Sequence, residues 1–161
     1  MPKVRWLTPA EDRAWRGYRR MRTLLDLQLA RDMASESGLS EADYDILSTL
    51  TEETGPPWRA NELAARLLWS SSRLAHQVGR MERRGLVKRT PCGDDRRGAL
   101  IHLTAKGRKT LGRAAPPHVE SVRQHFIDVM TPDELETLAN ITTRVIGCLT
   151  ESTEKISSRM T

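Results

Sequence analysis

Only two of the 161 residues are cysteine, Cys92 and Cys148, and no C-x-x-C or Cys/His grouping has the spacing of a zinc site. Their placement suggests neither a disulfide framework nor a structural metal, so a reducing compartment and no cofactor are expected. Aromatics are few, and Trp6, Trp15, Trp58 and Trp69 are by default core or interface anchors. No apolar run approaches the roughly 18 residues needed to cross a bilayer. Met1 to Arg5 passes at once into polar, helix-starting residues rather than a leader. The expectation is a soluble, cytoplasmic protein with no membrane partner. Its length suits one small domain with helical extensions and leaves no room for a separate large catalytic domain.

Charge is present, and unevenly so. Residues 59–98 hold ten Arg or Lys against four acids, a local excess of +6, whereas the rest of a chain of net charge +5 sums to −1. Such an excess on a compact segment is the electrostatic footprint of a polyanion site.

Local signals order the chain. Thr8-Pro9-Ala10-Glu11 combines a threonine N-cap, a proline at the first helical position and a capping-box glutamate. It predicts a helix from Pro9 to about Ser35, with Trp15, Tyr18, Met21, Leu25, Leu29 and Met33 at helical spacing and Gly38 placed to end it. A second helix starts at Ser40-Glu41-Ala42-Asp43 and closes before Gly55-Pro56-Pro57. A short helix over about 60–67, a turn at 68–70 and a helix over about 71–84 make a helix-turn-helix. Gly85 caps that helix. Leu86–Thr90 and Ala99–Leu103 then read as strands of a β-hairpin around a loop, Pro91 to Gly98. A helix opening at Thr104-Ala105-Lys106-Gly107 should break or kink at Pro116-Pro117. Thr131-Pro132-Asp133-Glu134 begins a last helix carrying Leu135, Leu138, Ile141, Val145 and Leu149.

The helix over 71–84 has two faces. Leu74, Val78 and Met81 form an apolar stripe for the core; Arg73, Gln77, Arg80 and Arg84 form a second stripe, with His76 beside it. Ser70, Ser71 and Ser72 stand at its N-terminus, where hydroxyls and exposed amides meet phosphates. Arginine and glutamine match guanine and adenine edges in the major groove of double-stranded DNA. In the hairpin loop, Asp95 is placed to hold one guanidinium while Arg96 or Arg97 reaches a narrow minor groove.

At these residues the chain resembles the MarR family of multiple-antibiotic-resistance regulators. The resemblance is carried by Arg80-Met81-Glu82-Arg83-Arg84-Gly85-Leu86-Val87 and by Asp95-Arg96-Arg97-Gly98-Ala99-Leu100-Ile101-His102-Leu103-Thr104-Ala105-Lys106-Gly107. The order of elements extends it from about Thr8 to Leu149. It implies a mainly α fold with a small β-hairpin wing: a DNA-binding lobe at 39–104, between an N-terminal dimerisation helix at 1–38 and C-terminal dimerisation helices at 105–161, in one continuous domain. It further implies a homodimeric regulator, expected to be a repressor, on a pseudo-palindromic operator. DNA contacts would come from Ser70, Ser71, Ser72, Arg73, His76, Gln77 and Arg80, and from Arg97 braced by Asp95. A small aromatic or phenolic effector would occupy a crevice that Trp15 and Tyr18 could line. Residues 8–35 lack the reactive first-helix cysteine of the family's peroxide sensors.

Two readings from other classes compete. An enzyme would rest on Ser70–Ser72 near His76, but a nucleophile elbow and a third group are missing. A protein-interaction module would use the basic face on an acidic partner without sequence-specific DNA binding. His118, Glu120, His125 and Asp128 suggest a metal, yet two histidines without a settled third ligand fit surface or interface positions better. Cys148 reads as packing.

Overall fold

The computed structural model describes residues 4–52, 57–92 and 95–157, with 95–97 and 151–157 as backbone only. It forms two compact units, Met1–Ser121 and Val122–Thr161.

The first unit begins with α1 (Pro9–Ser37), set by the reciprocal bonds between Thr8 and Glu11 and closed by Gly38 in the left-handed region at φ 66°. The Gly38 amide still donates to the Ala34 carbonyl, and its left-handed φ, which glycine adopts without strain, turns the chain away from the helix. Next come α2 (Glu41–Glu52), the two-residue strand β1 (Trp58–Arg59), α3 (Ala60–Arg66) and α4 (Ser71–Arg83). Strands β2 (Val87–Cys92) and β3 (Asp95–Leu103) follow, then α5 (Ala105–Val122).

The sheet has the order β1-β3-β2, antiparallel throughout. The expected hairpin is therefore the larger part of a three-stranded sheet. Trp58 and Arg59 pair with Ile101 and Leu100. Two residues show too little periodicity to read as a strand, which is why the sequence hides β1. The hairpin strands also extend further than expected, to Cys92 and from Asp95, across a register shift at Pro91/Cys92. The expected loop from Pro91 to Gly98 is mostly strand as a result.

The core is built where periodicity placed it. Leu74, Val78 and Met81 of α4 are buried with Ile46 and Leu47 of α2, Leu63 of α3, Ile101 of β3 and Leu111 and Ala114 of α5. The junction of hairpin and α5 is equally closed. A Cβ on Gly107 would run into the Leu86 carbonyl oxygen and lie 2.8 Å from Leu103 Cδ1. The Thr104 hydroxyl donates to the Gly85 carbonyl at 2.7 Å and accepts from the Gly107 amide at 2.9 Å. The spacing of Thr104 and Gly107 thus has a packing cause.

Of the break or kink expected at Pro116-Pro117, no break occurs: α5 is helical through both prolines. Each proline removes one helical hydrogen bond, but the segment is held from outside. Ser121 donates to Asp32 of α1 at 2.6 Å, and the His118 ring lies 4.4 Å from Tyr44 of α2. Tertiary packing outweighs the local preference. In the second unit a π-helical turn, Arg123–Ile127, precedes α6 (Pro132–Ser157), whose first turn carries the expected Thr131–Glu134 box.

Among the described residues no helix is long and apolar enough to cross a membrane, and no group of three or more His, Cys, Asp or Glu could hold a metal ion. His118 is instead a packing residue. Burial depresses its imidazole pKa, against the opposing pull of Asp45. Asp128 pairs with Arg123 at 2.6 Å. Cys92 is buried and Cys148 exposed, so packing within this chain accounts for the first and not the second.

Candidate nucleic-acid interface

The helix-turn-helix turn is a complete Schellman closure. The Leu68 amide donates to the Ala65 carbonyl at 3.1 Å and the Trp69 amide to the Ala64 carbonyl at 2.8 Å. Ser70 then caps α4, its hydroxyl accepting from the Arg73 amide at 3.2 Å and lying 3.2 Å from the Ser72 hydroxyl. Ser70, Ser71 and Ser72 are all exposed, leaving a helix start with hydroxyls and amides turned to solvent.

Along α4 the structure divides the expected polar stripe. Arg73, His76 and Arg80 are exposed. Arg73 lies over the Trp69 ring, 4.1 Å from its centroid. Gln77 is 6% exposed, and its amide nitrogen donates to Asp43 Oδ1 at 2.7 Å. The expectation that Gln77 reads a base is corrected: its side chain is spent inside the protein. Arg84 is drawn to the same carboxylate, at 2.6 Å from Oδ2, and donates also to the Gly38 carbonyl at 3.2 Å. One side chain of α2, itself 1% exposed, therefore anchors the middle and the end of α4.

Asp43 has a third task. It forms a reciprocal box with Ser40, accepting from the Ser40 amide at 3.1 Å while its own amide donates to the Ser40 hydroxyl at 3.2 Å. Burial alone would raise the pKa of this carboxyl. The hydrogen bond from Arg84 and those from Ser40 outweigh it and hold the group below the usual aspartate value. The sequence signal for Asp43 was present as Ser-x-x-Asp at a helix start. Nothing in that spacing points to α4, more than thirty residues on.

A second tie joins α4 to the hairpin. Arg89 of β2 donates from its amide to Glu82 Oε1 at 3.0 Å and from Nε to Oε2 at 2.8 Å. Those bonds keep the Glu82 carboxylate below the ordinary range. Farther up the hairpin, Thr90 and His102 are hydrogen-bonded across the strands at 2.7 Å. Asp95, Arg96 and Arg97 open β3, and their side chains lie outside the described ones. Trp15 and Tyr18, expected to line a crevice, are stacked at 5.9 Å on the exposed face of α1, with Arg19 over the first ring and Arg22 over the second.

The arrangement is a rigidly held cationic helix beside a basic hairpin, and comparison with known proteins agrees with that description. Residues 37–98 match the MarR family profile. AbsC of Streptomyces coelicolor, a MarR family transcriptional regulator, is 42% identical with a TM-score of 0.84, over 91% of this chain and 98% of that one. Sco3205 of the same organism, solved in complex with DNA, is 38% identical with a TM-score of 0.83, over 89% and 90%. The transcriptional regulator PecS of Dickeya dadantii is 31% identical over 115 residues, which span 70% of this chain and 66% of PecS. These relatives are transcriptional regulators. With this winged helix-turn-helix, the chain belongs to the MarR family of DNA-binding transcriptional regulators.

Proposed function

We propose that the protein is a homodimeric cytoplasmic repressor that binds a pseudo-palindromic operator and is released from it by a small aromatic or phenolic ligand. Arg73, Arg80 and His76 face the major groove, Ser70–Ser72 hold phosphates at the start of α4, and Arg97, braced by Asp95, enters the minor groove. The lobe at 39–104 does the reading; the helices before and after it join two copies.

The observation that carries the dimer is α6. Ile141, Val145 and Leu149 recur every four residues and are exposed in the single chain, as is Ile146. An apolar helical stripe of this kind is covered in a stable assembly. The expected geometry is two inverted half-sites about 34–36 Å apart. Sco3205 was solved in complex with DNA, which supports the duplex as partner. The family's ligand response supports an effector, with Trp15 and Tyr18 of α1 as candidate contacts.

Footprinting on DNA flanking the protein's own gene, repeated with phenolic and other aromatic carboxylates, tests the reading. Protection of two inverted half-sites that is lost on adding a ligand is the expected result. Binding without sequence preference would favour the competing reading, a basic interaction module.

A further inference from the structure

Leu68 occupies the one non-glycine position among the described residues with a positive φ, at 54°. It is the residue after the C-cap in the Schellman closure of α3, a position glycine fills because a Cβ in left-handed backbone meets the neighbouring carbonyl. Among the described residues the other left-handed positions, Gly38 and Gly85, are both glycine. Leucine is a poor choice here for folding, and its side chain gains nothing in exchange: it is 93% exposed, the most exposed large hydrophobic among the described residues. Neither backbone preference nor the core accounts for it. Strain held at a point of no packing value directs attention to function.

Its place supplies the function. Leu68 is two residues before the N-cap of α4 and directly precedes Trp69, the ring on which Arg73 rests. Ser70, Ser71 and Ser72 follow it, all exposed. The turn thus presents an isobutyl group at the edge of the surface that carries the phosphate and base donors. A duplex offers apolar partners there, the deoxyribose carbons and the thymine methyl. We infer that Leu68 is a DNA-contacting residue, packing its side chain on a sugar or thymine methyl of the half-site beside the contacts of Arg73. The inference rests on α4 being the reading helix.

Three variants of the full chain test it, with the operator and a scrambled duplex as probes. Leu68→Gly relieves the backbone and removes the side chain; Leu68→Ala removes the side chain alone. Arg80→Ala reports on the helix. Both Leu68 variants are expected to lose operator affinity by about 3- to 30-fold, the scale of one partly buried leucine. The dependence of log K on log salt should stay unchanged for both, since no charge is removed. For Arg80→Ala, a base-facing residue, the preference for operator over scrambled duplex should fall. The thermal midpoint of Leu68→Gly should be no lower than that of the wild type, so that stability holds while binding falls. A merely structural residue would not separate the two. Wild-type operator affinity in Leu68→Ala, with Arg80→Ala weakened, overturns the inference and leaves the reading helix in place. Loss in Leu68→Gly alone also overturns it, assigning the effect to turn stiffness. Wild-type affinity in all three, Arg80→Ala included, removes α4 from the interface, and the inference with it.

Discussion

The Arg73 guanidinium rests 4.1 Å from the centroid of the Trp69 ring, so the residue just before the helix N-cap seats the first arginine of α4. An arginine free in solvent samples many rotamers, and ordering it on a base costs entropy. A stacked one has part of that cost met before DNA arrives.

Removing the arginine therefore differs from removing its seat. Arg73→Ala is expected to lower the preference for operator over scrambled duplex by about 5- to 150-fold, the range of one bidentate base contact. Trp69→Leu keeps an apolar side chain but loses the π face, and should give a smaller loss of the same kind. In the double variant the losses should be less than additive, because the tryptophan acts through Arg73. Fluorescence anisotropy on both duplexes reads all three. Equal losses on the two duplexes would make Arg73 a phosphate contact.

Asp43 predicts an acid limit to stability. Its folded pKa lies below the ordinary aspartate value, so the unfolded chain binds the proton more tightly than the folded one. The resulting contribution is complete above the unfolded pKa of about 4. It is lost as pH falls through the folded pKa. Asp43→Asn should destabilise the protein at neutral pH by about 2–4 kcal/mol, since Gln77 and Arg84 lose their charged acceptor. The same variant should lose less stability between about pH 5 and 3 than the wild type does. Urea denaturation across that range is the measurement. Parallel pH profiles for the two proteins would show that the carboxylate plays no such part.

Gly107 reverses the usual sign of a helical glycine. In an open helix, Gly→Ala stabilises by about 1 kcal/mol. Gly112, with nothing within 4 Å of an added Cβ, should behave that way in Gly112→Ala. Gly107→Ala places a methyl against the Leu86 carbonyl and should cost about 1–3 kcal/mol, the usual penalty for overpacking. Thermal midpoints moving apart for two Gly→Ala changes in one helix would confirm the close approach. A rise in both would mean that α5 can shift away from Leu86.

What was legible in the sequence was local or periodic. The boxes at Thr8 and Thr131, the stripe of Leu74, Val78 and Met81, and the glycine after α4 each follow from residues within a turn or two of one another. The basic excess at 59–98 likewise needed only counting. Contacts between distant segments were not legible. Gln77 looked like a base reader because its spacing from Arg73 and Arg80 is helical. Only the fold brings Asp43 to its amide. Pro116 and Pro117 promised a break or kink, yet α5 stays helical through both while packing against Asp32 of α1 and Tyr44 of α2. Leu68 had no signal at all, because leucine in a turn is unremarkable until its φ is known.

The apolar stripe on α6 makes a prediction about assembly. Ile141, Val145 and Leu149 lie on one side of the helix, and Thr143, two residues from each of the first pair, lies on the other. Covering such side chains in a partner contributes about 1.5–3 kcal/mol apiece. A buried carboxylate without a partner costs more than that gain. Ile141→Glu should therefore shift the protein to monomer at micromolar concentration and abolish tight operator binding, because only two joined lobes can engage both half-sites. Thr143→Glu adds the same charge and should change neither property. Sedimentation equilibrium with a parallel operator titration checks both, and far-UV circular dichroism reports whether the monomer keeps its helices. If the wild type sediments as a folded monomer and binds a single half-site as tightly as the full operator, the stripe is not a dimer seam and the two-half-site reading falls with it.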